Sequence, residues 1–171
     1  MSEIEEGLTE DTRAPDVGDR EIEVFRIIAV PRRFVFEAWT EERHLSRWMG
    51  PDGFTVTTHR FEFGPGGIWE YTMHGPDGTD YPNHVEWLAL EAPARIAWLH
   101  GEKADDPRAF ESEVTLADEG GRTRVTLRSV FRTKEQRDEV VAHFGAIEGG
   151  RQTLEHLDAY ARRLGEGTSD A

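Results

Sequence analysis

The sequence contains no cysteine. That absence removes disulfides, thiolate metal ligands, cysteine nucleophiles and iron–sulfur clusters together. Long apolar runs are missing too, and no window approaches the ~18 apolar residues of a membrane-spanning helix. Positive charge is scarce: 20 Lys and Arg stand against 34 Asp and Glu, for a net charge of −14. This opposes sequence-independent attraction to nucleic-acid backbones or anionic lipid, so neither a nucleic acid nor a membrane is an expected partner. Residues 1–20 have no apolar core or basic leader of the kind that signal and transit peptides carry. A cytoplasmic protein is the expectation.

The strong catalytic signatures are lacking as well. There is no G-x-S-x-G elbow, no H-E-x-x-H, no Walker loop and no complete G-x-G-x-x-G. The seven histidines are scattered without paired ligand spacing, so no metal and no cofactor is expected. What is abundant is aromatic side chain: 5 Trp, 9 Phe and 3 Tyr in 171 residues, enough chain for one domain with a sizeable core. In so polar a sequence these rings must be buried or must line something.

Residues 1–20 form an acidic arm with little to bury, 21–164 a single folded unit and 165–171 a flexible tail. Residues 21–30 are apolar and β-branched, a first strand. Pro31 starts a short helix with an apolar face of Val35, Phe36, Ala38 and Trp39. Thr40 is placed to cap a second helix through Leu45 and Trp48, stopped by Gly50-Pro51-Asp52-Gly53. Glycine-rich turns then separate strands at 54–63, 68–74, 81–90, 95–100, 110–117 and 123–131, an antiparallel meander. Thr133 and Gln136 are spaced as a capping box opening a helical region over 134–164. Gly145, Gly149 and Gly150 are the expected interruption, and Gly165 the stop. Strands followed by a helical end define an α+β fold, with the last helix laid across the concave face of the sheet.

Alternation sorts the side chains by face. Trp69, Tyr71 and Met73 share one side, as do Ile96, Trp98 and His100, and Phe110, Ser112 and Val114. Phe61 and Phe63 pair with His59. The strand over 81–90 stays open, because Val85 and Trp87 oppose His84, Glu86, Leu88 and Leu90. A titratable group in such an apolar site would serve as acid or base, and His100, Tyr71, His59 and Glu86 are the candidates.

Several of these residues match a known pattern. Arg26-Ile27, Ala29, Pro31, Val35-Phe36, Ala38-Trp39-Thr40, Leu45, Trp48 and Gly50-Pro51 resemble the opening of the heat-shock-protein-90 ATPase activator-like family. That family is part of the START or Bet-v-like (SRPBCC, helix-grip) superfamily. Phe61-Glu62-Phe63, Pro65-Gly66-Gly67 with Trp69, Tyr71 and Met73, then Pro93, Arg95-Ile96, residues 123–127 and the helix over 149–160 continue the similarity. The resemblance implies a curved antiparallel sheet of about six or seven strands around a long C-terminal helix, two short helices after the first strand, and an internal apolar cavity. Gly64 stands where a polar or basic residue is common in the family, and Gly150 where it usually has tryptophan; the latter departure implies a larger cavity or a looser helix start.

A hydrophobic or aromatic small molecule is accordingly the expected partner, lined by Trp39, Trp48, Phe61, Trp69, Tyr71, Met73, Trp98, His100 and Phe144, with Ser112 assisting. A cyclase- or hydrolase-type enzyme using the same cavity is the alternative. A co-chaperone acting on a partner ATPase ranks last, because no second module is recognisable. The strand edges also admit a homodimer.

Overall fold

Alternating apolar and polar side chains, broken by glycine turns, produce strands that each bury one face. In the computed structural model, which describes residues 18–170 and side chains through residue 167, a 3₁₀ turn at Gly18–Arg20 leads into β1 (Glu21–Ile28). Helices α1 (Arg32–Thr40) and α2 (Glu42–Trp48) follow. The meander comprises β2 (Thr55–Phe61), β3 (Ile68–His74), β4 (Asp80–Glu91), β5 (Arg95–Gly101), β6 (Phe110–Glu119) and β7 (Arg122–Val130). Helices α3 (Lys134–Phe144) and α4 (Ala146–Asp170) end the chain. The expected acidic arm lies mostly outside the described residues.

All seven strands form one antiparallel sheet in the order β1-β7-β6-β5-β4-β3-β2. The first strand thus pairs with the last, Glu21 opposite Val130, while β1 and β2 form the two edges. Helices α1 and α2 carry the chain between those edges and pack against α4, which itself lies on β1. The core between these layers contains Val35, Ala38, Leu45, Ile96, Val114, Val125, Leu154, Leu157 and Ala161. No helix among the described residues is long and apolar enough to cross a membrane.

The structure corrects the expected helix boundaries. Thr133 Oγ1 does accept the Gln136 N–H, at 3.0 Å, but the Gln136 amide reaches past it to accept from Arg132 N–H and donate to the Arg108 carbonyl. Thr40 does not cap α2: it ends α1, and Glu41 holds the cap position without a side-chain bond. The C-terminal helical region breaks once, at Gly145, whose left-handed φ of 58° ends α3. Gly149 and Gly150 are helical. A methyl group on Gly150 would sit 3.2 Å from Val24 Cγ2, so its missing side chain lets α4 approach β1, whereas one on Gly149 would make an ordinary 3.5 Å contact with Pro51 Cγ. The helix start is therefore tight rather than loose. Gly165 is no stop either, since α4 continues to Asp170 and takes in most of the expected tail.

Candidate functional site

Register brings the tryptophans together. On the concave face Trp87, Trp98, Ser112 and Ser129 form one row across β4 to β7, and Trp69, Val85, His100 and Phe110 form another across β3 to β6. Two β-bulges decide who belongs. The extra residue Leu88 reverses the parity of β4, so that Val85 and Trp87 point inward before it and Leu90, opposite Ile96, points inward after it. Both alternatives that alternation left open are thus realised on one strand. In β2 the extra residue is His59, which turns outward to bond Thr72 Oγ1 at 2.8 Å, while Thr58 and Phe61 face Tyr71 and Trp69. His59 leaves the set of acid–base candidates for that reason, and the outward-facing Glu86 leaves with it.

From α1 and α2, Trp39 and Trp48 complete a continuous aromatic cluster. Tyr71 stacks on Trp69 with centroids 3.9 Å apart, and Trp69 lies parallel to Trp87 at 6.2 Å. Trp98 contacts Trp87 at 5.9 Å and Trp39 at 5.4 Å, and Trp39 meets the edge of Trp48 at 4.9 Å. Phe61 joins edge-on to Trp69, and the missed Phe63 to Trp87. Met73 packs at the rim of this cluster. Ser112, 5 % exposed, shares a 2.8 Å bond with Ser129 Oγ. Phe144 does not line the cluster: it is 62 % exposed at the end of α3, edge-on to Tyr81 at 6.4 Å. Of the expected lining, only Phe144 stands apart, and Trp87 is the main residue missed.

His100 is fully committed. Its Nδ1 accepts the Trp98 indole N–H at 3.3 Å, which leaves Nε2–H to donate to Asn83 Oδ1 at 2.8 Å. This is the neutral tautomer, and burial followed by repulsion from His84 pushes its pKa down to about 4. Burial pushes the Tyr71 phenol above its ordinary value, so it stays protonated. Both side chains are therefore uncharged at neutral pH. On the concave face His100, Phe110, Leu127 and Ser129 are part-buried. On the other side of Trp48 a crevice of about 390 Å³ opens between α2, β2 and α4, with Arg47, Phe54, His156 and Arg163 among its lining.

Two ionic clusters fix α4. Asp158, 2 % exposed, accepts from Arg26 Nε at 2.6 Å and from Arg162 Nε at 2.7 Å. Burial raises its pKa, but the two guanidinium bonds outweigh this and hold it below the usual carboxylate value. His44 joins Tyr160 Oη at 2.6 Å to Glu37 at 3.2 Å. With Glu41 it forms a group of three possible metal ligands within 4.8 Å of one another. Both imidazole nitrogens and the Arg43-paired Glu41 are already engaged, so the group ties α1 and α2 to α4.

A sheet curled around a C-terminal helix, with two short helices between its edges, defines the helix-grip class. Residues 29–162 match the model of the activator of Hsp90 ATPase homolog 1-like protein family, and the chain belongs to that family. Among solved structures, a protein from Nitrosomonas europaea superposes with a TM-score of 0.77 at 23 % identity, over 86 % of this chain and 97 % of its own. One from Arthrobacter aurescens gives 0.77 at 28 %, over 88 % and 90 %. One from Mycobacterium smegmatis gives 0.77 at 25 %, over 87 % and 95 %. No curated protein matches. Fold and family are consistent with a ligand-binding domain.

Proposed function

We propose that the protein binds a hydrophobic or aromatic small molecule in the concavity between the sheet and the C-terminal helix. The observation that carries this reading is a cluster of tryptophans from five elements beside part-buried side chains of the concave face. Apolar burial at ~25 cal/mol per Å² would give a two-ring ligand on the order of 6 kcal/mol before the cost of association. Binding is favoured over turnover because His100 has spent both nitrogens and Tyr71 holds its proton. The acidic balance supports a cytoplasmic protein without nucleic-acid or membrane partners.

Native mass spectrometry of the protein as purified, set against a denatured sample, tests the reading. A discrete added mass that is released on denaturation is expected. If only the bare chain mass is found, and a panel of mono- to tricyclic aromatic probes also leaves the tryptophan emission unchanged, the reading fails.

A further inference from the structure

Although 34 of the 171 residues are acidic, none of those lining the crevice between α2, β2 and α4 is an Asp or a Glu. Its walls are apolar and cationic instead. Trp48 and Met49 come from the end of α2, Phe54 from just before β2 and Ala159 from α4. Arg47 and Arg163 border the same space of about 390 Å³, one from each helix. The packing of α4 explains why. His156, Ala159 and Arg163 follow at spacings of three and four residues, so they share one helix face. His156 ties that face to the loop after α2, with Nδ1 2.9 Å from the Gly50 carbonyl and Nε2 2.7 Å from Asp52 Oδ1. Those two bonds set α4 beside the last turn of α2, where Arg47 stands, and they engage the Asp52 carboxylate.

Many arginines of this molecule meet a carboxylate, as Arg26, Arg95, Arg124 and Arg128 do. Arg47 and Arg163 meet none among the described residues. Arg47 gives Nε to the Arg43 carbonyl at 3.2 Å and keeps both terminal nitrogens free for another acceptor, while Arg163 lies over the Tyr160 ring at 5.4 Å without a hydrogen bond. One exposed arginine in water calls for no cause. Two bordering a single apolar crevice, in a molecule of net charge −14, place positive charge where its carboxylates are missing. A hydrocarbon in this space would leave the guanidiniums to water, a cation would be repelled by them, and an inorganic anion would leave the apolar wall uncovered. A molecule with an oxyanion at one end and a compact apolar body at the other meets both requirements.

From this we infer that the crevice is a second binding site, for a small organic oxyanion whose carboxylate or phosphate headgroup is bonded by Arg47 and Arg163 and whose apolar body lies against Trp48, Met49 and Phe54. The guanidinium fork pairs with either headgroup through two parallel hydrogen bonds. The site lies on the other side of Trp48 from the aromatic cluster and does not depend on the concave-face reading.

The test uses the full chain and two probe sets that share a body within each set: 2-naphthoate and 2-naphthyl phosphate with neutral 2-naphthamide, and octanoate and octyl phosphate with neutral octanamide. Affinities come from calorimetry at about 0.02 M salt, where screening is weak. In at least one set an oxyanion is expected to bind about tenfold or more tightly than its amide, the size of one charge-assisted hydrogen bond at an exposed site. The tighter of carboxylate and phosphate identifies the headgroup. Bound oxyanion should also shift the ¹³C-methyl signal of Met49, assigned with Met49→Leu. Arg47→Gln and Arg163→Gln, both at exposed positions, should each weaken oxyanion binding about threefold or more, and together abolish the preference while leaving amide affinity within about threefold. Acetate and inorganic phosphate, which lack the apolar body, should bind at least about tenfold more weakly than the best ligand. Equal affinity of oxyanion and amide in both sets overturns the inference, and so does a preference that survives the double variant. An unmoved Met49 signal with an oxyanion tightly bound places the ligand elsewhere and overturns it too, as does binding of acetate or inorganic phosphate as tight as that of the larger probes. If no probe binds, the inference fails. The concave-face reading stands or falls separately, on the test given above.

Discussion

At the scale of the residue, His100 makes the sharpest claim. Its folded-state pKa is depressed from 6.5 to about 4. Between those values the unfolded chain binds a proton that the folded one refuses, so the stability it contributes is complete above pH ~6.5 and lost as pH falls toward about 4. Allowing for the water that reaches the ring, the loss is about 2 kcal/mol. Urea unfolding at three pH values should show the wild-type midpoint falling more steeply with acid than that of His100→Gln; parallel slopes would sink the neutral-tautomer assignment. Alternation placed Trp69, Tyr71, Met73, Trp98 and His100 on one face without help from the structure. It misplaced His59 and left the face of Trp87 open because in each strand a bulge inserts one residue and reverses parity, and nothing in the local composition of β4 marks Leu88 as that residue. That Trp39 and Trp87 find no indole acceptor among the described residues was beyond reach of pattern altogether.

Among the elements, α4 is held to the sheet by a buried carboxylate between two arginines from different elements. Asp158→Asn keeps the shape but removes the charge that both guanidiniums bond. Since Arg26 and Arg162 can turn partly to water, the cost should be roughly 2 kcal/mol, the value of charge-assisted hydrogen bonds rather than of a stranded buried charge. Thermal unfolding measures it, and an unchanged midpoint would show that the apolar stripe alone seats the helix. The count and order of strands were readable, because glycine turns punctuate each one. The single break in the C-terminal helical region was not. Gly145 faces no neighbour and takes the left-handed conformation, whereas Gly149 and Gly150 stay helical where α4 packs on the sheet, Gly150 close against Val24, in spite of their low intrinsic propensity. The same override lets α4 run through Gly165, which packs against Val30 and Phe34.

For the molecule as a whole, the excess of acid is a standing repulsion. Most arginines seen on the sheet are already paired with carboxylates, so the surplus −14 has no internal counterweight. Raising salt from about 0.01 M to about 0.15 M shortens the screening length from roughly 30 Å to roughly 8 Å, and the melting temperature should rise with it. A fall would mean that the ion pairs outweigh the net charge. The pairing of β1 with β7 carries a different consequence, one of timing. On the ribosome β1 is made first and its partner last, and at typical elongation rates the intervening residues 29–121 take on the order of 5–20 s to appear. Throughout that interval Val24, Phe25, Ile27 and Ile28 have no native strand beside them. Glu21, Glu23 and Arg26, interleaved among them, are the residues placed to keep one nascent chain from completing another.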